Sequence, residues 1–236
     1  MNNKDINFLN NIKESCTICN GKGYSLREED SHLLFEDCAC VKTILYKGNL
    51  LISGIPARYI DWDISKLTEE FKKTNKESGA YDYIINYIDN IKQNIIEGIS
   101  FWMASPPGLA KSSISSYIIK QAITCGYNGC YCTMAKLVSQ KFKDIDDEES
   151  FINEVVYKAD IIVIEEFEKV YLKEESSFLN HKYYEIISDF YDAKKAIILT
   201  SNKTKKEIYK TLPSYIIDRL ETIDYIPICG KSGRIN

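Results

Sequence analysis

The sequence predicts an α/β protein, a parallel sheet covered by helices on both faces, with a small cysteine-ligated module in front of it. From residue 99 onward, short apolar runs alternate with segments of helical periodicity: Ile99–Ala104, Cys130–Met134, Ile161–Ile164, Ala196–Thr200 and Thr222–Ile228. Four of these five runs are continuously apolar, as a strand buried on both faces requires and a strand with one wet face does not. The module is read from Cys16-x-x-Cys19 and Cys38-x-Cys40, which both fall in the first 47 residues.

Helices are expected between the runs, at Ser112–Cys125, Ala135–Lys143, Tyr183–Tyr191 and Lys205–Leu212. Ahead of the first run, apolar residues from Tyr81 to Ile96 recur at helical spacing, and Gly98 ends that helix. Three segments follow: the module at 1–47, a linker with an amphipathic helix at 48–98, and the α/β domain at 99–236. The charged stretch Lys66–Lys76 reads as a solvated helix face, and the abundant tyrosines as packing residues. His181 is expected in a loop or insertion after the third run.

The 236 residues are 44% hydrophobic and 27% charged, the balance of a soluble globular chain. A net charge of −4 excludes binding DNA by global electrostatics, so any nucleic-acid contact is expected to be local or shared among subunits. The start MNNKDINFLNNIKESC lacks the apolar core of a signal peptide, and no run is long enough to span a bilayer. A cytoplasmic chain with no membrane contact is expected, and reducing conditions turn clustered cysteines toward metal and away from disulfides.

The first apolar run leads into Ser105-Pro106-Pro107-Gly108-Leu109-Ala110-Lys111-Ser112 and then a helix. A tight loop between a strand tip and a helix N-terminus aims backbone N–H groups and the helix dipole at an anion. Lys111 is placed to reach the β- and γ-phosphates of a nucleotide, and the Ser112 hydroxyl to ligate Mg²⁺. The usual pattern G-x-x-x-x-G-K-[ST] is broken twice, by Ser105 at its first glycine and Ala110 at its second. Alanine is tolerated there if its φ is negative. Alone, the loop also reads as an unrelated Pro-Pro-Gly turn before a helix with a solvated lysine.

The third run ends in Glu165-Glu166 and the fourth in Thr200-Ser201-Asn202. Of such an acidic pair, the first carboxylate serves the Mg²⁺ shell and the second polarises the attacking water, while Asn202 can orient that water. Glu165 is one methylene longer than the usual aspartate. Arg219 and Arg234 are candidates for charge at the γ-phosphate. Each feature singly also suits an ordinary surface residue; their order along the chain selects the nucleotide reading.

That order resembles the DnaC/DnaI/IstB branch of AAA+ ATPases, in particular the loader proteins of phages and mobile elements. Ser105–Ser112 resembles Walker A, Ile161–Glu166 Walker B, and Thr200–Asn202 sensor 1. Asp218-Arg219-Leu220 resembles the arginine-finger segment, and Gly230–Arg234 a closing G-x-S-x-R signature. The resemblance implies a five-stranded P-loop sheet without a helical lid, ATP and Mg²⁺ between self-associating subunits, and Arg219 completing a neighbour's site. It further implies a replicative DNA helicase and single-stranded DNA as partners. An IstB- or TnsC-like transposition regulator on duplex DNA shares nearly all these motifs, and a non-hydrolysing adaptor fits the degenerate ones.

Cys16, Cys19, Cys38 and Cys40 form C-x₂-C and C-x-C pairs separated by an eighteen-residue loop. Four thiolates on two turns can close a tetrahedron around Zn²⁺, with Gly21 and Gly23 letting the backbone fold beneath it. Such a site is closed and structural, suited to docking and not to catalysis. His32 reads as a solvated loop residue. Cys125, Cys130, Cys132 and Cys229 read as small buried hydrophobes.

Overall fold

The computed structural model describes residues 3–29, 32–141, 156–169 and 177–230. The chain divides into two compact units, Met1–Gly54 and Ile55–Asn236. The first contains helix α1 (Asn3–Glu14), strands β1 (Tyr24–Glu29) and β2 (His32–Asp37), and helix α2 (Ala39–Ile52). The strands form an antiparallel hairpin with Leu26 opposite Phe35. Charged residues interrupt its alternation, so periodicity gives no strand signal there, and His32 falls on β2 instead of in a loop.

The second unit opens with a strap containing two 3₁₀ turns, Ala57–Tyr59 and Ile64–Lys66, followed by helix α3 (Glu69–Glu77). Thr68 caps α3 by accepting the Phe71 N–H at 3.1 Å. The single helix expected over Tyr81–Ile96 is two, α4 (Ala80–Asp89) and α5 (Ile91–Glu97), broken at Asn90. The Asn90 amide Nδ2 donates to the Asn86 carbonyl at 2.9 Å, alongside its own backbone N–H. A side chain competing for a helix carbonyl in this way bends the axis, which periodicity does not register. Gly98 does end α5, at φ 68°. A Cβ there would lie 2.4 Å from the Lys194 carbonyl oxygen, so only glycine fits.

All five apolar runs fall on strands: β3 (Phe101–Ala104), β4 (Gly129–Thr133), β5 (Ile161–Glu165), β6 (Ala196–Ser201) and β7 (Asp224–Pro227). They form one sheet, parallel throughout, in the order β4-β5-β6-β3-β7. The helices between them are α6 (Lys111–Thr124), α7 (Met134–Lys141), α8 (Ser177–Asp192), α9 (Lys205–Thr211) and α10 (Ser214–Leu220). The last two residues expected for α7, Phe142 and Lys143, lie outside the described residues. Helix α8 starts earlier than expected and carries His181, exposed and 3.1 Å from Glu185 one turn on, so His181 is helical and not in a loop.

Alternate residues of each strand supply two cores, giving three layers. Trp102, Ile162, Ile164 and Leu199 pack with Phe167, Phe190 and Ile216 on one face. On the other, Phe101 meets the rings of Tyr83 and Tyr87 from α4 edge-on. Cys130 and Cys132 are buried as expected; Cys125 is only half-buried and Cys229 is exposed, because each lies in coil beyond the end of its element.

Candidate functional site

Parallel pairing places the C-terminal tips of all five strands along one edge, and the loops following β3, β5 and β6 meet there. They line a cavity of about 810 Å³ together with the strap and α3. Lys111, Ser112, Glu165, Glu166, Thr200 and Asn202 all face this one space. Ser105 lies buried at the β3 tip, continuing the ladder by donating its N–H to the Ser201 carbonyl. Lys111, 7% exposed, donates from its ammonium to the Ser105 carbonyl at 2.7 Å, the Ser105 hydroxyl at 2.8 Å and the Pro106 carbonyl at 3.2 Å. The hydroxyl that departs from the glycine pattern therefore serves as a lysine partner.

Ala110 does not satisfy the condition of negative φ: it lies at φ 57°, ψ 6°, left-handed, as the residue capping α6. Gly108 is also left-handed, at φ 89°. Both turns are needed to bring the loop's N–H groups around to the start of α6. Glycine accepts this conformation freely, whereas alanine does so at a cost of about 1–2 kcal/mol.

Glu166, also on the cavity, is left-handed too, at φ 50°. Its backbone is over-determined: its N–H donates to the Thr200 hydroxyl at 3.3 Å, and the Phe167 N–H donates to the Thr200 carbonyl at 3.2 Å. Both carboxylate oxygens are engaged, Oε1 by the Asn202 amide at 3.0 Å and Oε2 by the Lys169 ammonium at 2.6 Å. Glu168, 3% exposed, accepts the Asn202 backbone N–H at 3.0 Å. Asn202 is thus gripped through its backbone and itself grips the Glu166 side chain.

The residues beside Ser112 fit a divalent cation. Glu165 and Ser112 neighbour the Tyr131 hydroxyl, which is buried without a hydrogen-bond partner among the described residues. Burial first, then the Glu165 carboxylate, push the Tyr131 pKa far up and keep the phenol neutral. A neutral hydroxyl donor beside a carboxylate and a serine suits the hydration shell of a divalent cation.

Arg219 stands apart from the cavity, its guanidinium 4.7 Å over the ring of Tyr191. Arg234 lies outside the described residues. Several residues around the cavity carry no motif: Lys169, and Arg58, Tyr59, Trp62 and Phe71 from the strap and α3. Part of the Lys66–Lys76 stretch, Leu67 and Phe71 included, also lines this space, while Lys66, Thr68 and Glu70 stay exposed.

In the first unit, the sulfurs of Cys16, Cys19, Cys38 and Cys40 all lie within 4.8 Å of one another, with Cys16–Cys38 at 3.6 Å and Cys19–Cys40 at 3.5 Å. A zinc tetrahedron with bonds of about 2.3 Å has edges of about 3.8 Å, so the set fits Zn²⁺. The Gly23 N–H, 3.3 Å from the Cys19 sulfur, holds that thiol down to about 6. Burial pushes Cys40 up to about 12. Cys38 stands at the N-cap position of α2.

Comparison with known families matches residues 81–235 to the family described as IstB-like ATP binding protein. The chain belongs to this family. A search of curated proteins finds no match. Among solved structures, the fold is similar to that of the DnaC helicase loader (TM-score 0.60, 16% identity, 74% of this chain and 100% of that one). It is also similar to DnaI (0.56, 13%, 77% and 95%). A third similarity is to the replication initiator DnaA bound to AMPPCP and single-stranded DNA (0.58, 15%, 75% and 52%). At these identities the structures establish the shared AAA+ fold. This IstB-like chain therefore has an ATP-binding domain of AAA+ type with a four-cysteine cluster near its start.

Two outcomes follow. Ala110→Gly relieves the left-handed alanine and raises unfolding free energy by about 1 kcal/mol in urea titration; a loss of stability would contradict the observed φ. The purified chain is expected to carry one zinc by atomic emission, and Cys19→Ser none; a metal-free wild type would overturn the zinc reading of the cluster. Chelation makes the Met1–Gly54 unit protease-sensitive while the Ile55–Asn236 unit persists.

Proposed function

We propose that this protein is an ATP-dependent loader that delivers a hexameric replicative helicase to single-stranded DNA. The observation carrying this reading is the convergence of Lys111, Ser112, Glu165, Glu166 and Asn202 on one cavity. The loader role itself is supported by fold similarity to the DnaC helicase loader and to DnaI. Loop N–H groups and Lys111 hold the β- and γ-phosphates, and Ser112 with Glu165 holds Mg²⁺. The Mg²⁺ that Ser112 and Glu165 would hold would supply Lewis-acid polarisation of the phosphate oxygens. Glu166 polarises the attacking water, and Asn202 fixes the carboxylate that does so.

Arg219, outside its own cavity, serves the site of a neighbouring subunit, so assembly and nucleotide binding are coupled. Arg234 contributes to its own chain's site. The cysteine module at 1–47 binds Zn²⁺ and docks a protein or DNA partner. Residues 48–98 link it to the ATPase at 99–236, and the protein acts in the cytoplasm.

The family match favours a second reading, a transposition regulator assembling on duplex DNA. Electron microscopy with duplex DNA separates the two: long ATP-dependent filaments support the regulator, discrete complexes with a helicase the loader.

Lys111→Ala is expected to abolish ATP-dependent loading of helicase onto single-stranded DNA, measured by strand displacement; loading at the wild-type rate rejects the ATP switch. Lys169→Met removes the cation paired with Glu166 and is expected to raise ATP turnover severalfold, with Glu166→Gln inactive in either background. No turnover in any variant, with ATP still bound, supports a non-hydrolysing adaptor instead.

A further inference from the structure

Helix α6 begins at Lys111 and carries a second buried lysine, Lys120, 8% exposed. Nine residues of helix separate the two by about 13.5 Å along its axis, well beyond the phosphate loop. The Lys120 ammonium donates to the Ile60 carbonyl at 2.8 Å and to the Trp62 carbonyl. It also lies 5.5 Å over the Tyr117 ring, which Trp62 meets edge-on at 6.1 Å. One cation thus fixes two carbonyls separated by a single residue, together with the turn between them. Burial holds its pKa below the usual lysine range, opposed by Asp63 and Asp61 nearby, and the ammonium depends on those carbonyls for solvation.

The captured turn belongs to the strap. Arg58, Tyr59, Trp62 and Leu67 present aromatic, apolar and cationic groups to the cavity, and Phe71 joins them from α3. A flat aromatic ligand finds stacking faces and apolar contact there. The facing rim is also held by a buried side chain. Asn75, fully buried on α3, accepts the Cys229 N–H at 2.9 Å and donates to the Cys229 carbonyl at 3.0 Å, anchoring the segment that places Gly230 on the cavity.

We propose that Lys120 is a positioning residue for nucleoside recognition: its two carbonyl bonds give the strap the shape that receives base and ribose, while the polyphosphate is bound independently of it. The proposal rests on the nucleotide reading of the cavity. Between its two 3₁₀ turns the strap is held from within by the Trp62 N–H on the Tyr59 carbonyl and the Lys66 ammonium on the Asp61 carbonyl. Lys120 is what ties it to α6, so without Lys120 part of its order is supplied at the moment of binding, which lowers affinity.

The test compares the full chain with Lys120→Met and Lys120→Arg, measuring the Kd for labelled ATP and the Ki of inorganic tripolyphosphate competing against it. Lys120→Met is expected to raise the ATP Kd at least about tenfold while the tripolyphosphate Ki moves by less than about twofold, a split that general destabilisation does not give. Lys120→Arg, which retains several donors, restores the ATP Kd to within about threefold of wild type. If Lys120→Met does not fold, Lys120→Gln, with one amide donor group, carries the same comparison. Equal weakening of both ligands, or of neither, overturns the positioning role. Wild-type protein that binds neither ligand overturns the nucleotide reading, and the positioning role falls with it.

Discussion

Everything in the candidate nucleotide site depends on parallel strand pairing. A parallel ladder forces each strand to return through a crossover, so every C-terminal tip emerges at the same edge. Residues far apart in sequence then become neighbours without any special attraction between them. Thr200 and Glu166 are 34 positions apart, yet the pairing of β5 with β6 brings the hydroxyl of one to the amide of the other. The position of β3 between β6 and β7 sets the phosphate loop beside Asn202 on one side and the Cys229–Gly230 segment on the other. The continuous apolar runs make this possible, since only side chains that tolerate burial on both faces permit helices above and below the sheet.

Of the four described non-glycine residues with left-handed φ, two, Ala110 and Glu166, sit at the edge of that sheet, while Asn20 and Lys194 lie in turns elsewhere. Ala110 and Glu166 both adopt left-handed backbone outside glycine, and both lie on the cavity. Such conformations persist only when surrounding contacts leave no alternative. For Glu166 those contacts are visible as the Thr200 and Asn202 bonds. For Ala110 the fixed points are α6, which starts at the next residue, and the Lys111 ammonium tied back to Ser105. Strain and function coincide here because a strand-to-helix handover that exposes backbone N–H groups demands turns that side chains resist.

Legibility followed the range of the signal. Continuous apolar runs are local and unambiguous, so all five strands could be read, and the motif residues at their tips came with them. The break at Asn90 arises from a side chain competing for one carbonyl, which leaves the apolar period intact. The cavity's strap wall is invisible for a different reason. Arg58, Tyr59 and Trp62 follow no periodicity, and their placement is set by Lys120 about sixty residues later. The four-cysteine cluster was legible because metal ligands must come in closely spaced pairs, whereas the hairpin between the pairs is masked by its charges.

Three lysines share one structural task. Lys111 holds the oxygens of the phosphate loop, Lys120 those of the strap, and Lys195 the carbonyls of Tyr157 and Ala159 ahead of β5. Irregular chain packed against a sheet leaves carbonyls that no ladder satisfies, and each unmet acceptor is costly when buried. An ammonium offers three donors on a long stem, enough to collect several such oxygens from one anchor on a regular element. Apolar residues could fill the same volume and stabilise the fold equally well, but they would accept many loop geometries, whereas a buried ammonium accepts the few that satisfy it. The lysines therefore trade little in stability for definition of loop shape, and two of the three loops so defined are walls of the nucleotide cavity.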